Sequence, residues 1–232
     1  MSQPSLDAVA ALGDDLRRRM YDFIRRAGTP VTRDEAAASV GISRKLAAFH
    51  LDKLVDVGLL TARYAQPSGA RRVGRAPKVY EPAGLDVRVS IPQREHGLLA
   101  AILLEAVRAQ APGEPGRDAA LRVAGLRGRA LGEAERDRLK PGRLGAERAL
   151  TCAAQTLESH GFEPDRVTPT LMRLRNCPFH PLAAEDPDLV CAINHAFLAA
   201  FLDGLGASAV DAALRPREGA CCVELGAAPP AG

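Results

Sequence analysis

Four of the five cysteines fall after residue 176: Cys177, Cys191, Cys221 and Cys222. Cysteine is a soft thiolate donor that selects zinc or iron–sulfur clusters over hard cations. Thirteen residues separate Cys177 from Cys191, and 29 separate Cys191 from Cys221. No Cys-x-x-Cys pair occurs, so the spacing is not that of a zinc ribbon or finger. Each cysteine instead falls at an element boundary or on a terminal strand, where a fold can bring distant ligands together. His180, in Cys-Pro-Phe-His, and His195, four residues after Cys191 on the same helix face, could add nitrogen ligands. Acidic residues between Leu182 and Leu189 are further candidates. Strand alternation places Cys221 with Val223 and Leu225 on one face and Cys222 with Glu224 on the other, so one of the pair is expected to be a ligand. The competing reading is that these thiols are small buried hydrophobes, which is the reading for Cys152 within a helical run.

The elements that must carry this set read as an α+β domain. Gly145–His160 is a helix, Arg166–Arg175 is extended, and Pro187–Leu205 is a helix bearing Cys191 and His195. Strands are expected at Val210–Leu214 and Ala220–Leu225. Upstream, Gln93–Arg108 is amphipathic, with Leu99, Ile102, Leu103 and Ala106 at helical spacing. That face either joins the C-terminal core or forms a dimer interface, and the two-fold symmetry of operators favours the dimer. Residues 111–147 are dense in Gly, Pro and Arg. They hold one weakly patterned helix, Ala119–Leu131, and no assignable chemistry. The expected divisions are 1–90, a helical linker or dimerisation region at 91–147, and a cysteine-bearing sensor domain at 148–232.

The N-terminal part has a different character. A first helix, Asp14–Arg26, presents Leu16, Met20, Phe23 and Ile24 on one face and stops before Gly28 and Pro30. Thr32-Arg33-Asp34-Glu35 fits a capping box. The short helix it starts ends at Gly41, and Ser43 opens a third helix that runs to about Gly58. Two short helices joined by a tight glycine turn are the helix-turn-helix signature. Sorting the third helix at 100° per residue puts Ala47, Ala48, Leu51, Leu54 and Val55 behind and Lys45, Phe49, His50 and Lys53 in front. Ser43 and Arg44 sit at its N-terminus, where free amides favour a phosphate. Thr61–Tyr64 and Lys78–Glu81 read as two strands of a hairpin. The loop between them carries Arg71, Arg72 and Arg75 and no acid, as suits a wing lying on a DNA backbone or in a minor groove.

Charge is divided accordingly. Residues 1–90 hold 15 Lys/Arg and 10 Asp/Glu, a net of +5, which leaves 31 − 15 = 16 basic and 28 − 10 = 18 acidic residues, a net of −2, for the remainder. The positive excess lies where phosphates would be met. There is no basic-then-apolar leader and no run of about 18 uninterrupted apolar residues, so a cytoplasmic location and no membrane partner are expected. In a reducing compartment the cysteines are thiols or ligands rather than disulfides.

The run GISRKLAAFHLDKLVDVGLL followed by RRVGRAPKVYEP resembles the winged-helix repressors of the arsenic-repressor and deoxyribonucleoside-repressor type. The later segment LRNCPFHPLAAEDPDLVCAINHAF…GACCVEL resembles the sensor half of the Suf repressors, which regulate iron–sulfur cluster assembly. The resemblance implies a dimeric repressor bound to a double-stranded operator. It also implies an iron–sulfur cluster held by Cys177, Cys191 and one of Cys221 or Cys222. Two histidines beside the first two cysteines and the doubled last position depart from that pattern. They leave zinc, thiol oxidation or a small organic effector as alternatives. A thiol enzyme using Cys177 and His180 is a further alternative, but no nucleophile–base–orienter set is visible. The fold class expected is mainly α with small sheets: a winged helix-turn-helix followed by an α+β sensor and dimerisation domain.

Overall fold

The computed structural model describes residues 3–65 and 76–229, which form two units, Met1–Val89 and Ser90–Gly232. The chain is mainly α-helical with two small antiparallel sheets.

The first unit opens with α1 (Gln3–Leu12) and α2 (Asp15–Ala27). Asp14 caps α2 by accepting from the Arg17 amide at 3.0 Å, and Gly28 ends it at φ 65°. Of the apolar face expected on α2, Met20 and Ile24 are buried, Leu16 is half-buried and Phe23 is exposed. The gap over the core is closed by Ala8 and Ala11 of α1, a helix whose small residues give no strong pattern. A two-residue strand, β1 (Val31–Thr32), leads into α3 (Arg33–Val40). The Thr32 hydroxyl accepts from the Glu35 amide at 3.3 Å, and the Glu35 carboxylate accepts from the Thr32 amide at 2.7 Å. This reciprocal pair satisfies amides that helix geometry leaves unpaired. Gly41 turns the chain at φ 72° into α4 (Arg44–Asp56), which Ser43 caps through the Leu46 amide. β2 (Leu60–Tyr64) and β3 (Lys78–Pro82) then pair antiparallel, and β1 adds to β3 to give the order β1-β3-β2. The core gathers Met20, Ile24, Val31, Ala36, Ala47, Leu51, Leu54, Leu60 and Tyr80.

The second unit contains α5 (His96–Arg108), α6 (Gly116–Leu139), α7 (Ala146–Ser159), β4 (Pro164–Thr168), β5 (Leu171–Leu174), α8 (Leu182–Glu185), α9 (Pro187–Leu205), β6 (Val210–Leu214) and β7 (Val223–Ala227). Its sheet has the order β4-β5-β7-β6. Residues 91–147 are not a separate linker, because Leu99, Ile102, Ala119, Ala120, Val123 and Ala124 share one core with α7, α9 and the sheet. The face of α5 expected at a dimer interface is therefore largely internal: Leu99, Ile102 and Ala106 are buried, while Leu103 is partly exposed. Helix α6 is nearly twice as long as the pattern suggested. Its glycines do not break it but admit another backbone. A Cβ on Gly128 would collide with the Phe197 carbonyl oxygen, and one on Gly132 would lie 2.6 Å from the Leu205 nitrogen. Gly204 of α9 returns the contact, with a Cβ there 3.0 Å from the Glu133 nitrogen. Among the described residues α9 is the one helix long and apolar enough to cross a bilayer, with a mean hydropathy of 1.4, but half of it is buried in this core.

Candidate functional site

Helix α4 carries the candidate DNA-reading face. Lys45, Leu46, Phe49 and Lys53 are exposed on it, Phe49 by 56% and Leu46 by 41%. Leu46 was not among the expected front residues. Its position beside Lys45 and three before Phe49 was the available signal. Two large apolar side chains on a helix otherwise flanked by cations suit contact with thymine methyls.

His50 must be moved. It is only 6% exposed, with Nδ1 3.9 Å from the Asp14 carboxylate and its ring edge-on to Phe49 at 5.4 Å. The reason lies in the spacing. His50 is three residues after Ala47 and four before Leu54, so it continues the buried row. It packs edge-on against Phe49, away from the exposed face that carries Lys45 and Lys53.

The phosphate candidates are loosely held. Arg44 lies 3.2 Å from Asp34, both about two-thirds exposed. Lys78 donates to Asp52 at 3.0 Å and lies 5.3 Å from the centre of the Tyr80 ring. The Asp52 hydrogen bond holds the Lys78 ammonium above its ordinary pKa, against the opposing effect of burial. Exposed pairs of this kind are worth about 0–1 kcal/mol, so a phosphate can replace either carboxylate. The Ser43 hydroxyl is already engaged as a cap. Arg71, Arg72 and Arg75 lie outside the described residues.

In the second unit, Cys177, Cys191, Cys222 and His180 line a pocket of about 500 Å³. Cys177 sits in the loop after β5. That loop is fixed by the buried Asn176, whose amide donates to the Gln93 and Gly161 carbonyls at 2.8 and 2.6 Å. Arg94 donates to Asn176 Oδ1 at 2.5 Å and to the Cys177 carbonyl at 2.7 Å. Cys191 lies near the start of α9, whose first turn is capped by Asp186. Cys221 and Cys222 come just before β7 rather than within it. The Cys221 amide donates to the Leu174 carbonyl at 2.9 Å, and the Arg215 amide donates to the Cys222 carbonyl at 2.6 Å. The pair is thus pinned between the ends of β5 and β6.

The thiols of Cys177, Cys221, Cys222 and Cys191 influence one another's ionisation in that order. Of the adjacent pair, Cys222 lines the pocket and Cys221 does not. The hydrogen bond with Cys221 is the main cause that raises the Cys177 pKa, with burial adding to it. Burial likewise raises Cys191. At Cys221 the bond from Cys177 favours the thiolate, but the contact with Cys222 and burial outweigh it, and the thiol is pushed up to about 12. Backbone amides oppose these trends: those of Phe179 and His180 approach the Cys177 sulfur, and that of Val223 approaches Cys221. Among the described residues, no three Cys, His, Asp or Glu side chains converge as a ready-made single-ion site.

His195 does not join the pocket. Its Nε2 lies 3.0 Å from the Ala212 carbonyl oxygen, to which it can only donate, so that nitrogen is spent on β6. The acids between Leu182 and Leu189 are exposed, and none of them lines the pocket. The pocket carries instead Arg94, Arg175 and Arg217, which the spacing of the cysteines gave no means of finding.

Residues 12–63 match the family described as a helix-turn-helix domain. No curated protein gives a significant match to the chain. The matched segment spans α2 to β2 and includes every described residue of the α4 face, so the first unit is the DNA-binding part of a transcriptional regulator.

Proposed function

We propose that the protein is a transcriptional repressor of the Suf-repressor kind that binds a two-fold operator as a homodimer. Its second unit senses through an iron–sulfur cluster or metal held by Cys177, Cys191 and Cys222. The observation that carries this reading is the gathering of three cysteines, from three separated segments, on one pocket in a protein whose other unit holds a helix-turn-helix. Buried thiols packed against one another cost little as hydrophobes, and they become soft thiolate donors once a bound metal displaces their protons. A bound centre supplies a soft, negatively charged group whose presence depends on iron and oxidants, and the guanidinium groups of Arg94 and Arg217 at the pocket suit that charge. The dimensions favour a cluster over zinc. Zinc needs four donors converging at about 2.3 Å, whereas among the described residues no three candidate ligands converge on one ion and the pocket of about 500 Å³ has room for a larger centre. His180, on the pocket wall, is the remaining nitrogen candidate.

Regulation follows if the centre is bound unequally by DNA-competent and DNA-incompetent states. A coupling of about 1–3 kcal/mol changes operator affinity roughly 5- to 150-fold. The test is a fluorescence-anisotropy titration of a labelled operator fragment with loaded and stripped protein at one salt concentration. A difference in that range supports the reading, and equal affinities refute sensing by this route.

A further inference from the structure

Three consecutive residues near the start of the second unit grip one loop. Arg94 donates from a single guanidinium nitrogen to Asn176 Oδ1 at 2.5 Å and to the Cys177 carbonyl at 2.7 Å. The Glu95 amide donates to the Pro178 carbonyl at 2.8 Å. His96 Nε2 lies 3.0 Å from the His180 carbonyl oxygen, to which it can only donate. Asn176 returns the contact through its side-chain amide to the Gln93 carbonyl. Gly161 packs tightly beside both segments: a Cβ there would lie 3.1 Å from Gln93 Cγ and 3.4 Å from Pro178 Cβ. Loop 176–180 is therefore held by the 93–96 segment as well as by its own sheet, and a shift of one must be met by the other. Pro92 and Arg94 also line the pocket beside Cys177.

The same segment is tied closely to the chain before it. The Arg94 amide donates to Ser90 Oγ at 2.8 Å, and Ser90 is the first residue of the second unit. Val87 still packs against the core of the first unit. Arg88 and Val89 alone lie between them, a span of at most about 11 Å. A tether this short passes a displacement on, whereas a long flexible one absorbs it.

We infer that residues 90–96 are a strap that couples the cysteine pocket to the DNA-binding unit, with Arg94 as its positioning residue. A change in what Cys177 is bonded to moves loop 176–180, and the strap carries that movement through Arg88 and Val89. The inference rests on the reading that the pocket is the sensing site, and it names the route by which that site acts.

The test uses the full-length protein, either stripped of metal under reductant or reconstituted without oxygen with Fe2+ and sulfide. Hydrogen exchange of the peptide spanning 90–96 and anisotropy titration of a labelled operator fragment are read in both states. In wild type, reconstitution should change operator affinity roughly 5- to 150-fold and exchange in 90–96 by about fivefold or more. Inserting a flexible glycine–serine segment between Val89 and Ser90 should keep the iron content, the exchange difference and operator binding, but shrink the affinity difference to about twofold or less. Arg94→Lys, which keeps the charge but loses the planar fork, should shrink both differences. The insertion touches no pocket residue, so it carries the test even if Arg94→Lys takes up no iron. If wild-type exchange in 90–96 is the same in both states, or the insertion variant keeps the full affinity difference, or iron-loaded Arg94→Lys keeps both differences, the inference is overturned while the sensing reading stands. If wild type binds the operator equally in both states, the sensing reading falls, and this inference with it.

Discussion

The crossing of α6 and α9 gives the sharpest stability prediction, because the same helix supplies its own control. Gly132→Ala places a methyl 2.6 Å from the Leu205 nitrogen and 3.0 Å from the Gly204 carbonyl carbon, in addition to a collision with the Phe201 carbonyl oxygen. All three are backbone atoms of α9, so relief requires the helices to separate along a buried seam. Overpacking of this kind costs about 1–3 kcal/mol and occasionally more. Alanine returns about 1 kcal/mol through helix propensity. With three rigid neighbours the cost falls at the upper end, and a net loss of about 2 kcal/mol is expected. At Gly125 a methyl would meet only the Ala200 Cβ at 3.9 Å, an ordinary contact. Gly125→Ala should therefore stabilise the protein by up to about 1 kcal/mol. The assay is denaturant unfolding followed by far-ultraviolet circular dichroism and by tyrosine fluorescence. The chain has no tryptophan, and its three tyrosines, Tyr21, Tyr64 and Tyr80, all belong to the first unit. Gly132→Ala should move the dichroism transition that the tyrosines do not report. If Gly132→Ala is as stable as Gly125→Ala, the close approach of the two helices is wrong.

Other outcomes follow from the first unit. Glu35 is held below the ordinary glutamate value of 4.5, first by the hydrogen bond from the Thr32 amide. A lowered carboxylate stabilises the fold above its unfolded pKa and loses that contribution as pH falls through the folded one. Glu35→Gln should therefore cost about 0.5 kcal/mol near neutrality, small because the pair is solvent-screened. The difference should vanish well below pH 4.5 in tyrosine-monitored unfolding; a difference that stays constant with pH would contradict the capping account. His50→Leu should alter thermal stability while leaving the ratio of operator to random-DNA affinity within about twofold, since the ring is buried. Lys45→Ala with Phe49→Ala should reduce that ratio by about 1–3 kcal/mol of discrimination. A His50 variant that lost discrimination while Lys45 and Phe49 variants kept it would reverse the assignment of the reading face.

The helix-turn-helix was readable because each of its signals is local. The Thr32–Glu35 box, Gly41 and the Ser43 cap each act within four residues, and the structure shows each at its expected place. His50 was legible too, since its spacing from Ala47 and Leu54 marks the buried row, but its chemistry drew it to the front. Helix α6 was not legible in full. Gly128 and Gly132 resemble loop residues until a partner backbone 69 or more positions away is known to need their missing side chains; Phe197 and Phe201 are such partners. The sulfur pocket follows the same rule. The residue types announced soft-metal chemistry, but only the fold ties Cys221 to Leu174 and Cys222 to Arg215, puts Cys222 and Cys177 on one pocket and turns His195 toward Ala212. The Asn194–Cys221 contact reaches across 27 residues, for which spacing offers no signal.

The most direct test of the account is the iron and acid-labile sulfide content of protein purified without oxygen, read together with its visible absorption. The account predicts coloured protein with iron and sulfide in matching amounts, and loss of both on replacing Cys177 and Cys222 with serine. Colourless wild-type protein free of iron and sulfide would contradict it.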